Sequence, residues 1–395
     1  MNTQHTFNPP RPDACLSAQS PGFKALLACL QSGDSILARQ SAAVPIEPRR
    51  TDRPWLFCES AGTSGAARLI RRSPTSWIRS FDLNGERFGL GASDIYATLG
   101  HLGHSLTLYA VLEGLHLGAG IADLSPLNPK GQARKLAEIG ASVIYATPTQ
   151  LRLLLAGAEA AGLAQIGSVR HIFSGGGKLD DLLRPRVAAM FPAAVLREFF
   201  GASETSFVAI SDVATPAGSV GRPYPGVALR IGPPDQPVGP MQVGELWVDS
   251  PYVFDGYAAG KPGDTRWQGR WLSIGEMGYL DHDGYLFLKG RRNRMVTVAD
   301  RNVFPEEIER QVMQMTGAGL CVALAQPDDR RGNRIICVVQ GDGGAAMEKR
   351  LRQGLRDGLG AHAVPRRFVF LDRIPLLPAG KPDLQSLGRL LETRA

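Results

Sequence analysis

The 395-residue chain has only five cysteines, Cys15, Cys29, Cys58, Cys321 and Cys337, and no two form a Cys-x-x-Cys pair. That scarcity argues against a disulfide framework or a structural metal site and for a reduced, cytoplasmic protein. No apolar run reaches the ~20 residues that a bilayer-spanning helix needs, so no transmembrane segment is expected. The N-terminal MNTQHTFNPPRPDACLS lacks the charged-then-apolar order of a signal peptide. No run of five like charges occurs, and no basic stripe is interleaved with aromatics. Nucleic acid is therefore not the expected partner, despite a net charge of +7 and a pI near 9.3. The basic excess suits anionic small substrates equally well. With 44% hydrophobic and 21% charged residues the composition is that of a globular chain, long enough for two or more domains.

Residues 1–53 carry little pattern: 21–31 fits one amphipathic helix, and 44–53 reads as a linker. From residue 54 onward strands and helices alternate. Apolar strands at 54–58, 69–70, 95–99, 142–145, 170–173 and 195–199 are interleaved with helices at 105–117, 132–139, 148–161 and 180–190. Such alternation predicts layered α/β structure with parallel strands, whose ligands bind at the loops beyond the strands' carboxyl ends. Between 218 and 253 short strands and prolines predict a small β-subdomain. After residue 291 a separate α+β unit follows, with helices at 305–315 and 347–359 and strands at 321–325, 334–339 and 367–370.

Several loops in this frame suit a nucleotide. Ser60, Gly62, Thr63, Ser64 and Gly65, followed by Arg68, can turn the backbone and present N–H groups to an anion. Gly175, Gly176 and Gly177 would let a flat base or an acyl group lie on bare backbone. Phe200-Gly201-Ala202-Ser203-Glu204 ends a strand with an aromatic, a hydroxyl and a carboxylate; the bland alternative is Ser203 as a helix N-cap. Glu276 precedes a hairpin turning at Asp281-His282-Asp283-Gly284, and Arg291 follows it, so a diol and a phosphate could be held there. Pro305-Glu306-Glu307 then opens a helix, with acids where its dipole favours them.

In this order the segments resemble the adenylate-forming enzymes: acyl-CoA synthetases, luciferase-like ligases and the adenylation domains of peptide synthetases. The phosphate loop (60–68), the glycine turn (174–179), Phe200–Glu204 against a YGxTE pattern, the hairpin with its basic joint, and Pro375–Asp383 against a PLTPxGKxD loop carry the likeness. The resemblance implies an α/β protein with a large N-terminal AMP-binding domain (1–290, shortened relative to the family) and a small mobile α+β lid (291–395), hinged near 291–294 at Asn293. It implies ATP and Mg²⁺ as cofactors, with Glu204 and Thr63 on the metal, Ser203 on the α-phosphate, Phe200 and Gly201 at adenine and Glu276 on the ribose. Lys381 would bridge the substrate carboxylate and the α-phosphate. His104 and Phe207 would border the pocket of an aryl or medium-chain carboxylic acid. The acceptor would be CoA or the phosphopantetheine of an acyl carrier protein. Arg68 for lysine, Glu276 for aspartate, Asn293 for aspartate or lysine, and Ala299-Asp300-Arg301-Asn302 for glycines depart from the family pattern. They leave open a catalytically impaired ATP/AMP-binding homologue.

Overall fold

The computed structural model describes residues 6–8, 10–11, 13–16, 20–40, 42–61, 67–179, 182–376 and 382–393. At its centre is a seven-stranded sheet ordered Arg222–Pro223, Ser206–Ile210, Val195–Ala202, His171–Ser174, Val143–Ala146, Ile95–Thr98 and Gly120–Asp123. The five strands from Val195–Ala202 to Gly120–Asp123 run parallel. The other two are added antiparallel. Parallel strands are covered on both faces, so they read as unbroken apolar runs. All four residues of Val143–Ala146 are buried.

One face is covered by helices Pro129–Glu138, Pro148–Ala160 and Leu183–Met190, through Leu136, Leu151, Leu154, Leu155, Leu183 and Val187. The opposite face packs on helices Pro21–Ser32, Pro74–Phe88 and Ser105–His116, through Phe23, Leu26, Trp77, Phe81 and Leu108. Each fully buried large apolar side chain is worth about 1.5–3 kcal/mol. These two layers therefore dominate the stability of the body.

A five-stranded sheet, Gly256–Ala259, Ala67–Arg72, Leu56–Ala61, Ser35–Ala38 and Ile46–Arg49, flanks this core. Residues 44–53, expected to be a linker, in fact contribute its edge strand, paired antiparallel with Ser35–Ala38. Only Ile46 of that strand is buried, and Pro48 sits where an edge strand tolerates a missing donor, so no apolar pattern announces it. The β-subdomain expected at 218–253 extends further along the chain: a six-stranded sheet from Ala228 to Arg291 ends in the hairpin Glu276–Leu280 and Leu286–Arg291.

Beyond residue 295 a three-stranded sheet, Cys321–Asp328, Gly332–Gln340 and Arg367–Leu371, packs on helices Pro305–Thr316, Ala345–Leu359 and Leu384–Thr393. Its two hydrophobic clusters draw only on residues 296–391 among those described. The hairpin Val296–Val298 and Arg301–Val303 turns through Ala299 and Asp300, at φ 49° and 60°. A two-residue turn of that hand needs both central residues left-handed, which is the geometry glycine supplies without strain.

Candidate active site

The carboxyl end of Val195–Ala202 is where the site assembles. The strand does not run into a helix. It turns through Ser203, Glu204 and Thr205 and returns as Ser206–Ile210, so Ser203 lies in a hairpin turn and not at a helix N-cap. Two features force this turn. Ser206 takes φ 56°. A Cβ on Gly201 would stand 2.0 Å from the Ser206 carbonyl oxygen, so only glycine fits opposite it. Thr205 Oγ1 accepts the Ala202 N–H at 3.0 Å and closes the turn.

The turn faces the start of helix Ser105–His116. Ser203 Oγ and Ser105 Oγ are 3.0 Å apart, and His104 is the residue that caps that helix. His104 is half-buried; burial first, and then neighbouring His101, push its pKa down, so it is neutral near pH 7. An uncharged ring beside the hairpin fits a pocket wall.

Glu204 is 9% exposed. Its Oε1 accepts the Tyr257 hydroxyl at 2.8 Å, and its carbonyl accepts the Phe254 N–H at 2.9 Å. Tyr257 in turn is 2.7 Å from Thr265 Oγ1. The Arg68 guanidinium lies over the Tyr257 ring at 6.0 Å and against Gly263. Strands Ala67–Arg72 and Gly256–Ala259 pair antiparallel, which brings Arg68 and Tyr257 to one edge. Ser60 pairs with Arg68 across the hairpin whose connection carries Gly62, Thr63, Ser64 and Gly65; those four lie outside the described residues. Ser60 Oγ is buried without a hydrogen-bond partner among the described residues.

The glycine turn follows His171–Ser174 as expected, with one correction. At Gly175 the space of the missing side chain is filled by the chain itself: the Phe199 ring lies 2.3 Å from where a Cβ would stand. Gly176 adopts φ 78°, and Gly177 lies against Pro148. Phe200 is half-buried on the same strand and packs at the border of the core.

Phe207 requires a second correction. It is 3% exposed, its ring centroid is 4.5 Å from Phe199 and 4.9 Å from Tyr224, and Tyr109 meets it edge-on. The aromatic core takes it up, so it offers a ligand no open wall.

Glu276 and Arg291 are direct cross-strand partners, and their side chains form an ion pair at 3.0 Å. Asn293 Nδ2 donates to Asp264 Oδ2 at 2.7 Å, and Arg292 N–H donates to the Gly275 carbonyl at 2.8 Å, so the basic joint is tied to the larger sheet. Lys381 lies outside the described residues. The ends of its loop are drawn together: Leu376 bridges Pro382, and Asp383 N–H reaches the Pro375 carbonyl at 2.9 Å.

Among the described residues no group of three or more His, Cys, Asp and Glu side chains could cage a metal. A hard cation such as Mg²⁺ takes one or two carboxylates and completes its shell with phosphate oxygens and water. The single carboxylate of Glu204, beside the cationic edge at Arg68, fits that manner of binding.

Sequence reasoning did not single out Arg72, Ser105, Tyr257 or Thr265. Nothing in their spacing ties them to Ser203 or Glu204, which lie more than fifty residues away in each case. Only the strand pairing brings them together.

Comparisons with known proteins show the family. The profile of the AMP-binding enzyme family matches residues 11–258, and that of the AMP-binding enzyme C-terminal domain matches 307–381. The uncharacterized acyl–CoA ligase YhfT of Bacillus subtilis is 29% identical over 357 residues, 89% of this chain and 72% of that protein. The sulfoacetate–CoA ligase of Cupriavidus necator is 28% identical over 357 residues, 87% of this chain and 68% of that protein. The amide bond synthetase McbA of Marinactinospora thermotolerans superposes with a TM-score of 0.74 at 25% identity, covering 90% of this chain and 72% of the other. The chain belongs to the AMP-binding enzyme family, within the adenylate-forming superfamily.

Proposed function

We propose that this protein is an ATP-dependent carboxylic acid–thiol ligase. In the first step a substrate carboxylate oxygen attacks the α-phosphorus of ATP, the bond to the β-phosphate breaks, and pyrophosphate leaves. In the second a thiol sulfur attacks the acyl carbon, the bond to AMP oxygen breaks, and the thiol proton is released. The observation that carries the reading is the hairpin turn at Ser203–Glu204, set between a helix start at His104–Ser105 and a cationic strand edge at Arg68. Acyl–CoA ligases among the similar sequences support it.

In this reading Glu204 and Thr63 would hold Mg²⁺, which would supply positive charge to offset that of the leaving phosphates. Ser203 contacts the α-phosphate. Ser60, Gly62, Ser64, Gly65 and Arg68 hold the outer phosphates. Phe200 and Gly201 with Gly176 and Gly177 flank adenine, and Glu276, oriented by Arg291, accepts from the ribose hydroxyls. Lys381 delivers its ammonium group to the reacting centre, where charge builds in the transition state. Residues 1–290 and 291–395 act as body and lid, with the turn at Asn293 as hinge. The acid is aryl or medium-chain, bordered by His104, and the protein works in the cytoplasm.

The thiol is that of CoA or of a carrier-protein pantetheine arm. An amine acceptor is a second reading. It is favoured by Ala299–Asn302 standing where the resemblance expects the glycines that line a pantetheine tunnel, and by the likeness to an amide bond synthetase.

Exchange of labelled pyrophosphate into ATP, run across a panel of acids, tests the first step. Mass spectrometry of the products, with CoA, a pantetheinylated carrier or simple amines present, tests the second. No exchange with any acid would defeat the proposal.

A further inference from the structure

Arg72 is the only lysine or arginine buried among the described residues, at 1% exposure. Taking a guanidinium out of water costs several kcal/mol unless good partners replace the water. Its hydrogen-bond partners among the described residues are all neutral. Nη2 donates to the Ser203 carbonyl at 2.5 Å, and Nη1 is shared among Ser76 Oγ (3.1 Å), Ser206 Oγ (3.2 Å) and the Tyr252 carbonyl (3.1 Å). Its Cζ lies 4.9 Å from the Trp77 ring centroid, and Nε has no partner among the described residues. Burial pulls its pKa down to about 10, while Cys58, Asp255 and Glu204 draw it back up, so the group stays charged at pH 7.

The placement of these bonds is specific. Ser203 opens the hairpin turn, and Ser206, held at φ 56°, closes it. Trp77 Nε1 donates to the same Ser206 hydroxyl at 2.8 Å. Tyr252 lies two residues before Phe254, whose N–H holds the Glu204 carbonyl. One cation thus grips both ends of the turn and the segment Tyr252–Phe254 that buttresses it, with Glu204 enclosed between.

We propose that Arg72 is a positioning residue: it fixes the Ser203–Ser206 turn so that Ser203 and Glu204 are pre-organised for a metal-complexed nucleoside triphosphate. The inference rests on the proposed function, and its failure is separable from the failure of that reading. A merely structural arginine would set the melting temperature alone; a positioning one sets how much Mg²⁺ strengthens ATP binding.

The test is calorimetric titration of ATP with and without Mg²⁺ into wild type, Arg72→Met, Arg72→Lys and Ser206→Ala, with thermal unfolding of each unliganded protein alongside. A buried charge-assisted hydrogen bond is worth about 1.5–3 kcal/mol, so Arg72→Met should lose about tenfold or more of the Mg²⁺-dependent gain in affinity. Binding of Mg²⁺-free ATP should stay within about threefold, and Arg72→Lys should recover part of the gain, since lysine keeps the charge but not the fork. If Arg72→Met does not fold, Ser206→Ala and Arg72→Lys carry the test, each with a reduced Mg²⁺-dependent gain. A folded Arg72→Met with the full wild-type gain, or an undiminished gain in both milder variants, overturns the proposal. Wild type that binds no Mg²⁺-ATP at all overturns the functional reading, and this inference with it.

Discussion

The Tyr257 hydroxyl donates to Glu204 Oε1 at 2.8 Å, and Thr265 Oγ1 sits 2.7 Å behind the phenol. Burial, and then the charge of Glu204, push the Tyr257 pKa up to about 12. The phenol is therefore protonated at every working pH and always a donor. It fixes one oxygen of the carboxylate, and under the proposed function the other would face Mg²⁺. Tyr257→Phe removes the donor and keeps the ring. A hydrogen bond to a charged group is worth about 1.5–3 kcal/mol, so Mg²⁺-ATP affinity should fall about tenfold with little change in melting temperature. Calorimetric titration checks this.

Lys381 is expected to act mainly in the transition state. Lys381→Ala should lower pyrophosphate exchange by about a hundredfold or more, the scale of removing one electrostatic contact to a developing anion. ATP affinity should hold within about threefold, because the ground-state phosphates are gripped elsewhere. Exchange rates beside a binding isotherm separate the two effects, and equal losses in both would remove Lys381 from the chemistry.

Glu113 lies deep in the core, 0% exposed, where its carboxylate accepts from Asn84, Tyr96 and Tyr145. Burial outweighs these donors and raises its pKa from 4.5 to about 7. Below pH 4.5 the group is protonated both folded and unfolded, and nothing is lost. As pH rises toward 7 the unfolded chain ionises while the folded one holds its proton, so stability falls, and it levels off above that. Glu113→Gln should abolish this term. Its stability relative to wild type should rise across the same window by on the order of 3 kcal/mol. Urea unfolding at a series of pH values reads the difference; a difference independent of pH would contradict it.

Ala299 occupies a left-handed backbone position at φ 49° in an exposed two-residue turn. An L-residue with a Cβ costs roughly 1–2 kcal/mol there, and glycine does not. Ala299→Gly should stabilise the chain by about 0.5–1 kcal/mol after the extra entropy of the unfolded glycine is allowed for. A higher melting temperature confirms it; a lower one would mean the turn is held by contacts that outweigh the strain.

Much of this architecture was readable before any coordinates. Helix 105–117 and strands 142–145 and 170–173 fall within one or two residues of Ser105–His116, Val143–Ala146 and His171–Ser174. Buried parallel strands and capped helices write their periods directly into the chain. The edge strand Ile46–Arg49 was not readable, because only one of its four residues faces the core. Helix Pro74–Phe88 was also missed: it carries polar and basic residues along the face away from Trp77, Ile78 and Phe81. The resemblance places Phe207 at the border of the acid pocket, yet a pleated strand sends it into the aromatic core.

The sequence by itself determined the class of chemistry. Glycines, hydroxyls, a carboxylate and a terminal lysine loop, in that order, are meaningful because each is a local demand on backbone or charge. Only the tertiary structure decided which residues support them. Arg72, Tyr257 and Ser105 reach Ser203 or Glu204 from strands and helices 53 to 131 residues distant in the chain. Contacts of that kind depend on sheet order and register, which no local pattern records.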